Sequence, residues 1–142
     1  MITVFTPSYN RAYIIDNLYQ SLLAQTSKDF EWVVVDDGSK DATEEYFAKI
    51  LQNDNPFKIT YKKVQNGGKH RAINHGVKMA SGELFFIVDS DDYLLPDAIE
   101  KILSWVSALD DSKKWAGVSG YRGYSAEKVI GSPLSSPYVD CK

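Results

Sequence analysis

Apolar residues in this chain come in two alternating rhythms: short unbroken runs, and longer stretches with the spacing of one helix face. Ile2 to Thr6 is the first run, β-branched and stopped by Pro7, and reads as a strand. From Ala12 the positions Ile14, Ile15, Leu18, Leu22 and Leu23 follow helical spacing, which predicts a helix to about Gln25. Phe30 to Val35 reads as a second buried strand. A helix from Ala42 to about Leu51 follows, with Tyr46, Phe47, Ile50 and Leu51 on one face and Asp41 and Glu44 as a capping box. Ile59 to Val64 is a third strand, Gln65 to Arg71 a glycine-containing basic loop, and Ile73, Val77 and Ala80 mark a helix closed by Gly82. Leu84 to Val88 has the bulk and branching of a strand buried on both faces and so central in a sheet. Ile99, Ile102, Leu103 and Val106 predict a last helix to about Leu109, and Trp115 to Ser119 reads as a fifth strand. Beyond Gly120 no period is sustained. Strand and helix alternate four times without an internal repeat or linker, which predicts an α/β fold, a three-layer α/β/α sandwich around a mostly parallel sheet.

Composition adds limits. At 142 residues and 44% hydrophobic content the chain suits one domain with a proper core. A formal net charge of -3 leaves no basic footprint, so nucleic acid is not an expected partner, and any phosphate must be held by local cations. The single cysteine, Cys141, allows no intramolecular disulfide and no cysteine metal cluster. No apolar run approaches a membrane span, and the amino-terminal residues lack a signal-peptide pattern. A cytoplasmic setting is expected, in solution or peripheral to the inner face of the membrane.

The chemistry gathers where strands end. Asp89, Ser90, Asp91 and Asp92 follow the Leu84 run, and alternation puts Asp89 and Asp91 on one side if the chain stays extended. Two neighbouring carboxylates favour a shared cation, and hard oxygen ligands suit Mg²⁺ or Mn²⁺ held jointly with substrate phosphates. The competing reading is helix capping by Asp92 or Asp97, but capping needs one aspartate and four lie within nine residues. An EF-hand is excluded, since its glycine and terminal glutamate are missing. Asp36 and Asp37 end the second strand before Gly38 and Ser39, where a single aspartate would satisfy a turn. Parallel strands bring Pro7-Ser8-Tyr9-Asn10-Arg11, Asp36-Asp37-Gly38-Ser39, Asn66 to Arg71 and Asp89 to Asp92 to one edge, where open α/β sheets bind ligands. An aromatic face, acidic acceptors, a few cations and a carboxylate pair match the needs of a nucleoside diphosphate. Tyr9 could equally be a packed aromatic, and Lys69 and Arg71 solvated loop residues. His70 and His75 lack metal-ligand spacing, and Trp32, Trp105 and Trp115 read as core.

The segments TPSYNR, VVVDDGS, NGGKHRAINHGVKMASGELFFIVDSDD and LLPD, spanning almost all of residues 1 to 97, resemble the family 2 glycosyltransferases of the Rossmann-like GT-A fold. That resemblance implies a single domain over 1–142, with 1–97 the nucleotide-sugar-binding core and 98–142 the start of an acceptor-side region. It implies that Thr6, Tyr9 and Asp37 contact the donor base with Asp36 beside them. Arg11, and Lys69 or Arg71, would reach the nucleotide or its diphosphate. Asp89 and Asp91 match the DxD motif, with Asp91 the direct Mn²⁺ or Mg²⁺ ligand and Asp89 on the ribose or sugar side. The implied reaction moves a sugar from a nucleotide-diphospho-sugar, UDP being the commoner nucleotide, to a hydroxyl of a glycan or lipid-linked acceptor with inversion, as in cell-envelope polysaccharide biosynthesis. The family's catalytic base lies in its C-terminal half; Glu127 and Asp140 are available here but sit in no recognisable motif, so the base is expected outside this chain. Three other readings compete, one of them a non-catalytic, nucleotide-binding domain that keeps the DxD residues without the activity. A nucleotidyltransferase would carry a glycine-rich basic loop after the first strand, where PSYNRAY stands. A receiver-like signalling domain would place its acidic pair after the first strand, whereas the pairs here follow the second and fourth.

Overall fold

Two of the three apolar runs, Ile2 to Thr6 and Phe30 to Val35, become the two innermost strands. In the computed structural model, which describes residues 1–110, 112–125, 127–132 and 136, β1 is Ile2–Ser8 and β2 is Phe30–Asp36. Both are buried almost throughout, as strands covered on both faces must be. With β3 (Lys58–Lys63) and β4 (Leu84–Ile87) they form a fully parallel sheet of order β3-β2-β1-β4. Ile2 lies opposite Phe30 on one side and Leu84 on the other.

Pro7 does not stop β1, contrary to the sequence expectation. In a parallel strand alternate residues bond alternate neighbours. Ser8 carbonyl accepts from Asp37 N–H of the β2 side, and Phe5 carbonyl accepts from Val88 N–H of the β4 side. Pro7 belongs with Phe5, on the side where β4 has already ended, so its missing N–H breaks no ladder bond.

The helices are α1 (Ile15–Leu23), α2 (Thr43–Ile50), α3 (Lys69–Met79) and α4 (Ala98–Ser107). On one sheet face Ile2, Val4, Trp32 and Val34 pack with Leu18 and Leu22 of α1, Phe47 and Ile50 of α2, and Ile99 of α4. On the other, Phe5, Val33 and Val35 pack with Ala72 of α3 and with half-buried Ile73, Met79 and Phe85. The expected three layers follow. α3 comes very close to the sheet because Gly76 faces the Phe5 ring, where an added Cβ would lie 2.2 Å from a ring carbon.

Several expectations need correction. β4 is an edge strand among the described residues, and Leu84, Phe85 and Phe86 are only partly buried with Ile87 exposed. Its apolar run reflects contact on its inner side and faces, not a central position. α3 begins at Lys69, so Lys69, His70 and Arg71 lie in its first turn and not in a loop. Asp41 and Glu44 make no capping box: Asp41 accepts from Thr43 N–H at 3.1 Å, while Glu44 pairs with Lys63 at 2.7 Å. Asp97, one of the two expected caps, does not cap α4. Buried Gln25 accepts from Ile99 N–H at 3.0 Å and donates to the Ser21 and Leu95 carbonyls, joining the end of α1 to the start of α4. Asp97 instead pairs with Lys101.

At the amino end of the sheet Glu31 is buried and fully engaged. Its carboxylate accepts from Thr3 Oγ1 (2.8 Å), Ser81 N–H (2.6 Å) and Ser81 Oγ (3.0 Å), with Lys58 Nζ at 3.5 Å. Burial alone would raise its pKa; those hydrogen bonds and the Lys58 charge outweigh burial and hold it below the ordinary value. Thr3 Oγ1 also accepts from Gly82 N–H, so one network fixes β1, β2 and the approach to β4.

The chain divides into two compact units, Met1–Leu103 and Ser104–Lys142. Within the second, β5 (Gly123–Ser125) and β6 (Lys128–Val129) form a short antiparallel pair that the sequence pattern did not predict. Trp115 to Ser119 is not a strand. Trp105 is exposed, and half-buried Trp115 donates its indole N–H to the Asp110 carbonyl, so of the three tryptophans only Trp32 is core. Asp140 lies outside the described residues. Among the described residues no helix is long and apolar enough to cross a membrane.

Candidate donor-binding site

The strand order reverses beside β1, since β2 and β3 extend to one side and β4 lies on the other. Such a reversal leaves an opening at the carboxyl edge. A cavity of about 290 Å³ lies there. Its walls include Ser8, Tyr9 and Arg11 after β1, Asp37 after β2, Lys69 and Ala72 of α3, and Asp89, Ser90 and Asp91 after β4. Of the residues expected at the site, the cavity thus gathers Tyr9, Arg11, Asp37, Lys69, Asp89 and Asp91.

Thr6, Asp36 and Arg71 are not among its walls. Thr6 is fully buried and its hydroxyl accepts from Trp32 Nε1–H at 3.0 Å, which fills the indole's need for a partner inside the core. Asp36 is also fully buried; it accepts from Ser39 N–H (2.8 Å) and the Tyr61 hydroxyl (2.6 Å). Burial, and then Asp36 itself, push the Tyr61 phenol far up, so Tyr61 stays a donor to Asp36. The Arg71 stem lies over Gly67, where an added Cβ would be 2.6 Å from its Cδ.

Asp37 acts as a clasp. One carboxylate oxygen accepts from Gly67 N–H and the other from Gly68 N–H, each at 2.8 Å, and its carbonyl accepts from the Asn66 side chain. Gly68, the residue before α3, has φ of 91°, a conformation that favours glycine. The carboxylate thereby fixes the entry to α3, and Lys69 follows at once.

A second set of bonds fixes Tyr9 and Arg11. Asn10 N–H donates to Ser39 Oγ and Asn10 Oδ1 accepts from Lys40 N–H, both at 2.8 Å. Arg11 N–H donates to Thr43 Oγ1 and Ala12 N–H to Asp41 Oδ2. Asn10 has φ of 54°, a left-handed position that asparagine tolerates better than most residues. Asn10, Ser39 and Thr43 carry no local signal of this positioning role, and Asp41 reads locally only as a helix cap. Burial would raise the Asp41 pKa, but the Thr43 hydroxyl and the Ala12 and Thr43 amides together lower it.

The chain turns at Ser90 and Asp91, with Asp92 N–H donating to the Asp89 carbonyl at 3.0 Å, so the extended geometry expected through Asp91 ends earlier. Both carboxylates still reach the cavity, each beside a cation. Lys69 Nζ is 2.6 Å from Asp89 Oδ1, and Arg11 Nη2 is 3.7 Å from Asp91 Oδ2 while its Nη1 donates to the Tyr13 hydroxyl. Asp89 is one-third and Asp91 one-half exposed. Among the described residues no group of three or more His, Cys, Asp or Glu could cage a metal. Two accessible carboxylates fit instead a Mg²⁺ or Mn²⁺ site completed by substrate phosphates.

The family description "Glycosyl transferase family 2" matches residues 3–127. The chain belongs to that family. Relatives of this family 2 chain include an uncharacterized glycosyltransferase of Rickettsia typhi, 37% identical over 111 residues covering 78% of this chain and 33% of the relative. Another is a chondroitin synthase of Pasteurella multocida, 39% identical over 103 residues, covering 72% and 10%. Among solved structures, S. aureus TarS 1-349 in complex with UDP-GlcNAc matches with a TM-score of 0.69 and 31% identity over 75% of this chain and 31% of that TarS 1-349 chain. Mannosyltransferase PcManGT from Pyrobaculum calidifontis, in complex with GDP-Man and Mn²⁺, matches with a TM-score of 0.70 and 27% identity over 75% and 32%. The expected α/β, GT-A-like fold is thus shown. The family 2 chain spans a third or less of the length of the first curated relatives it matches.

Proposed function

We propose that this chain forms the donor-binding part of a glycosyltransferase that moves a sugar from a nucleotide-diphospho-sugar to an acceptor hydroxyl. The observation that carries the reading is the meeting, at one cavity, of two accessible carboxylates with two cations and an aromatic side chain. Tyr9 offers its face to the base. Asp37 keeps lone pairs beyond those held by Gly67 and Gly68, and these suit a base N–H. Arg11 and Lys69 supply charge-assisted donors for the diphosphate. Asp91, with Asp89, would hold Mg²⁺ or Mn²⁺, whose contribution is to neutralise charge on the departing diphosphate. The cavity residues otherwise position the donor and stabilise charge. TarS with UDP-GlcNAc and PcManGT with GDP-Man support a nucleotide sugar as ligand, and the resemblance favours UDP. Inversion by direct displacement would need a carboxylate base near the acceptor. Glu127, in the Ser104–Lys142 unit, is exposed and is not a cavity wall, so the base is assigned to residues outside this site.

The test is calorimetric titration of UDP into the chain with and without Mn²⁺, repeated on Asp91→Asn. Metal-dependent binding that weakens at least about tenfold in the variant supports the reading. A folded chain that binds none of UDP, GDP and dTDP overturns it.

A further inference from the structure

Lys69 and Arg11 stand on anchored backbone but carry solvent-accessible side chains. The Asp37 clasp on Gly67 and Gly68 fixes the residue before Lys69, and the Arg11 amide is tied to Thr43. Their side chains remain 55% and 35% exposed. Exposed pairs of this kind hold only a few-fold in equilibrium constant, so they can exchange partners readily. Each pair also occupies a carboxylate that a metal ion would need: Lys69 takes Asp89 and Arg11 takes Asp91.

We propose that Lys69 and Arg11 are specificity-determining residues, which make the cavity accept a divalent cation arriving with a diphosphate and resist a bare one. The proposal rests on the donor-site reading. The two pairs sum to zero charge. A bare divalent cation at Asp89 and Asp91 must displace both cations and then lies beside them without any anion to neutralise them. A diphosphate alone meets two carboxylates at the same place. When both arrive together, partners are exchanged one for one: the cations turn to phosphate oxygens and the carboxylates to the metal. A nucleotide sugar carries one negative charge per phosphate, so its complex with a divalent cation is neutral and the exchange leaves the charge of the site unchanged; UDP carries about one charge more on its terminal phosphate, which strengthens its pairing with the same two cations. Asp37, the remaining charged wall, pairs with neither cation and is assigned to the base, so its charge is the same before and after the exchange.

The experiment is a Mn²⁺ titration followed by electron paramagnetic resonance, on the unaltered chain, Lys69→Met and Arg11→Met, each with and without saturating UDP, with circular dichroism verifying the fold. For the unaltered chain, UDP should tighten Mn²⁺ binding about tenfold or more. In each variant bare Mn²⁺ should bind about three- to tenfold tighter than to the unaltered chain, the range of one lost local charge, and the gain from UDP should shrink. Lys69→Arg, which keeps the charge, should restore the original preference. If UDP promotes Mn²⁺ binding in the unaltered chain but neither variant takes bare Mn²⁺ more tightly, the exchange is overturned and the donor site stands. If the folded unaltered chain takes no Mn²⁺ with or without UDP, the donor-site reading falls and the exchange falls with it.

Discussion

At the amino end of the sheet Glu31 is buried beneath donors from Thr3 and Ser81, with Lys58 close by, whereas at the carboxyl end Asp89 and Asp91 stand partly in solvent with one cation apiece. The same chemical group serves two purposes, decided by how many partners the fold provides. A buried carboxylate with every oxygen met is a cross-link, and its ligands are all internal. A carboxylate at an open cavity with a single exposed partner keeps acceptor capacity for something else. Asp36 and Asp37, adjacent in sequence, divide along the same line. Asp36 is sealed by Ser39 and Tyr61, while Asp37 holds a loop and still borders the cavity.

Breaking the closed end should have the largest effect on folding. Glu31→Ala should lower unfolding free energy by about 3 kcal/mol in urea denaturation, since it strands the buried Thr3 hydroxyl and removes the acceptor shared by Thr3, Ser81 and Lys58. Because the Glu31 pKa is lowered on folding, its stabilisation is full above the ordinary value of 4.5 and is lost as pH falls below it through the lowered value. Glu31→Gln should therefore flatten the acid limb of a stability-versus-pH curve. Asp37→Asn comes next. An amide side chain offers one acceptor oxygen for two amides, so a loss of about 2 kcal/mol is expected, with UDP affinity falling about tenfold as the α3 entry loosens. Asp41→Ala, which frees Ala12 and Thr43, should cost about 1 kcal/mol and weaken UDP binding less. The smallest change in stability is expected at the open end. Asp91→Asn should shift the thermal unfolding free energy by no more than about 0.5 kcal/mol while Mn²⁺-dependent UDP binding is lost. A large loss of stability in Asp91→Asn with binding intact would erase the distinction between the two ends.

The sequence carried the outline of this contrast and missed part of its detail. Continuous apolar runs marked β1 and β2 because both faces of those strands are covered. The run at β4 looked the same, yet burial of a strand's faces does not reveal whether its outer edge is paired. Alternation already placed Thr6 with Ile2 and Val4 on the side facing Trp32, a signal that outweighs the motif's assignment of Thr6 to the base. The start of α3 was hidden because its anchor is not local: Asp37 lies some thirty residues before the amides that it holds. Asn10 shows the same limit, since its role depends on Ser39 and Lys40 across the edge. Local spacing reveals which groups reach the carboxyl edge; it does not reveal which of them the fold consumes.

The place of β1 in the strand order bears on how the chain is made. β1 needs neighbours on both sides, and they are translated far apart: β2 supplies one flank early, but β4 follows only about 80 residues after β1 begins. At ordinary ribosomal speeds of about 5–20 residues per second, one flank of Ile2 to Phe5 stays unpaired for several seconds of synthesis. During that interval the nascent chain presents an apolar, parallel-seeking edge, a hazard for association with other chains. Stalling before Leu84–Ile87 has left the ribosome should leave a species that needs chaperone protection, whereas emergence of β4 closes that flank.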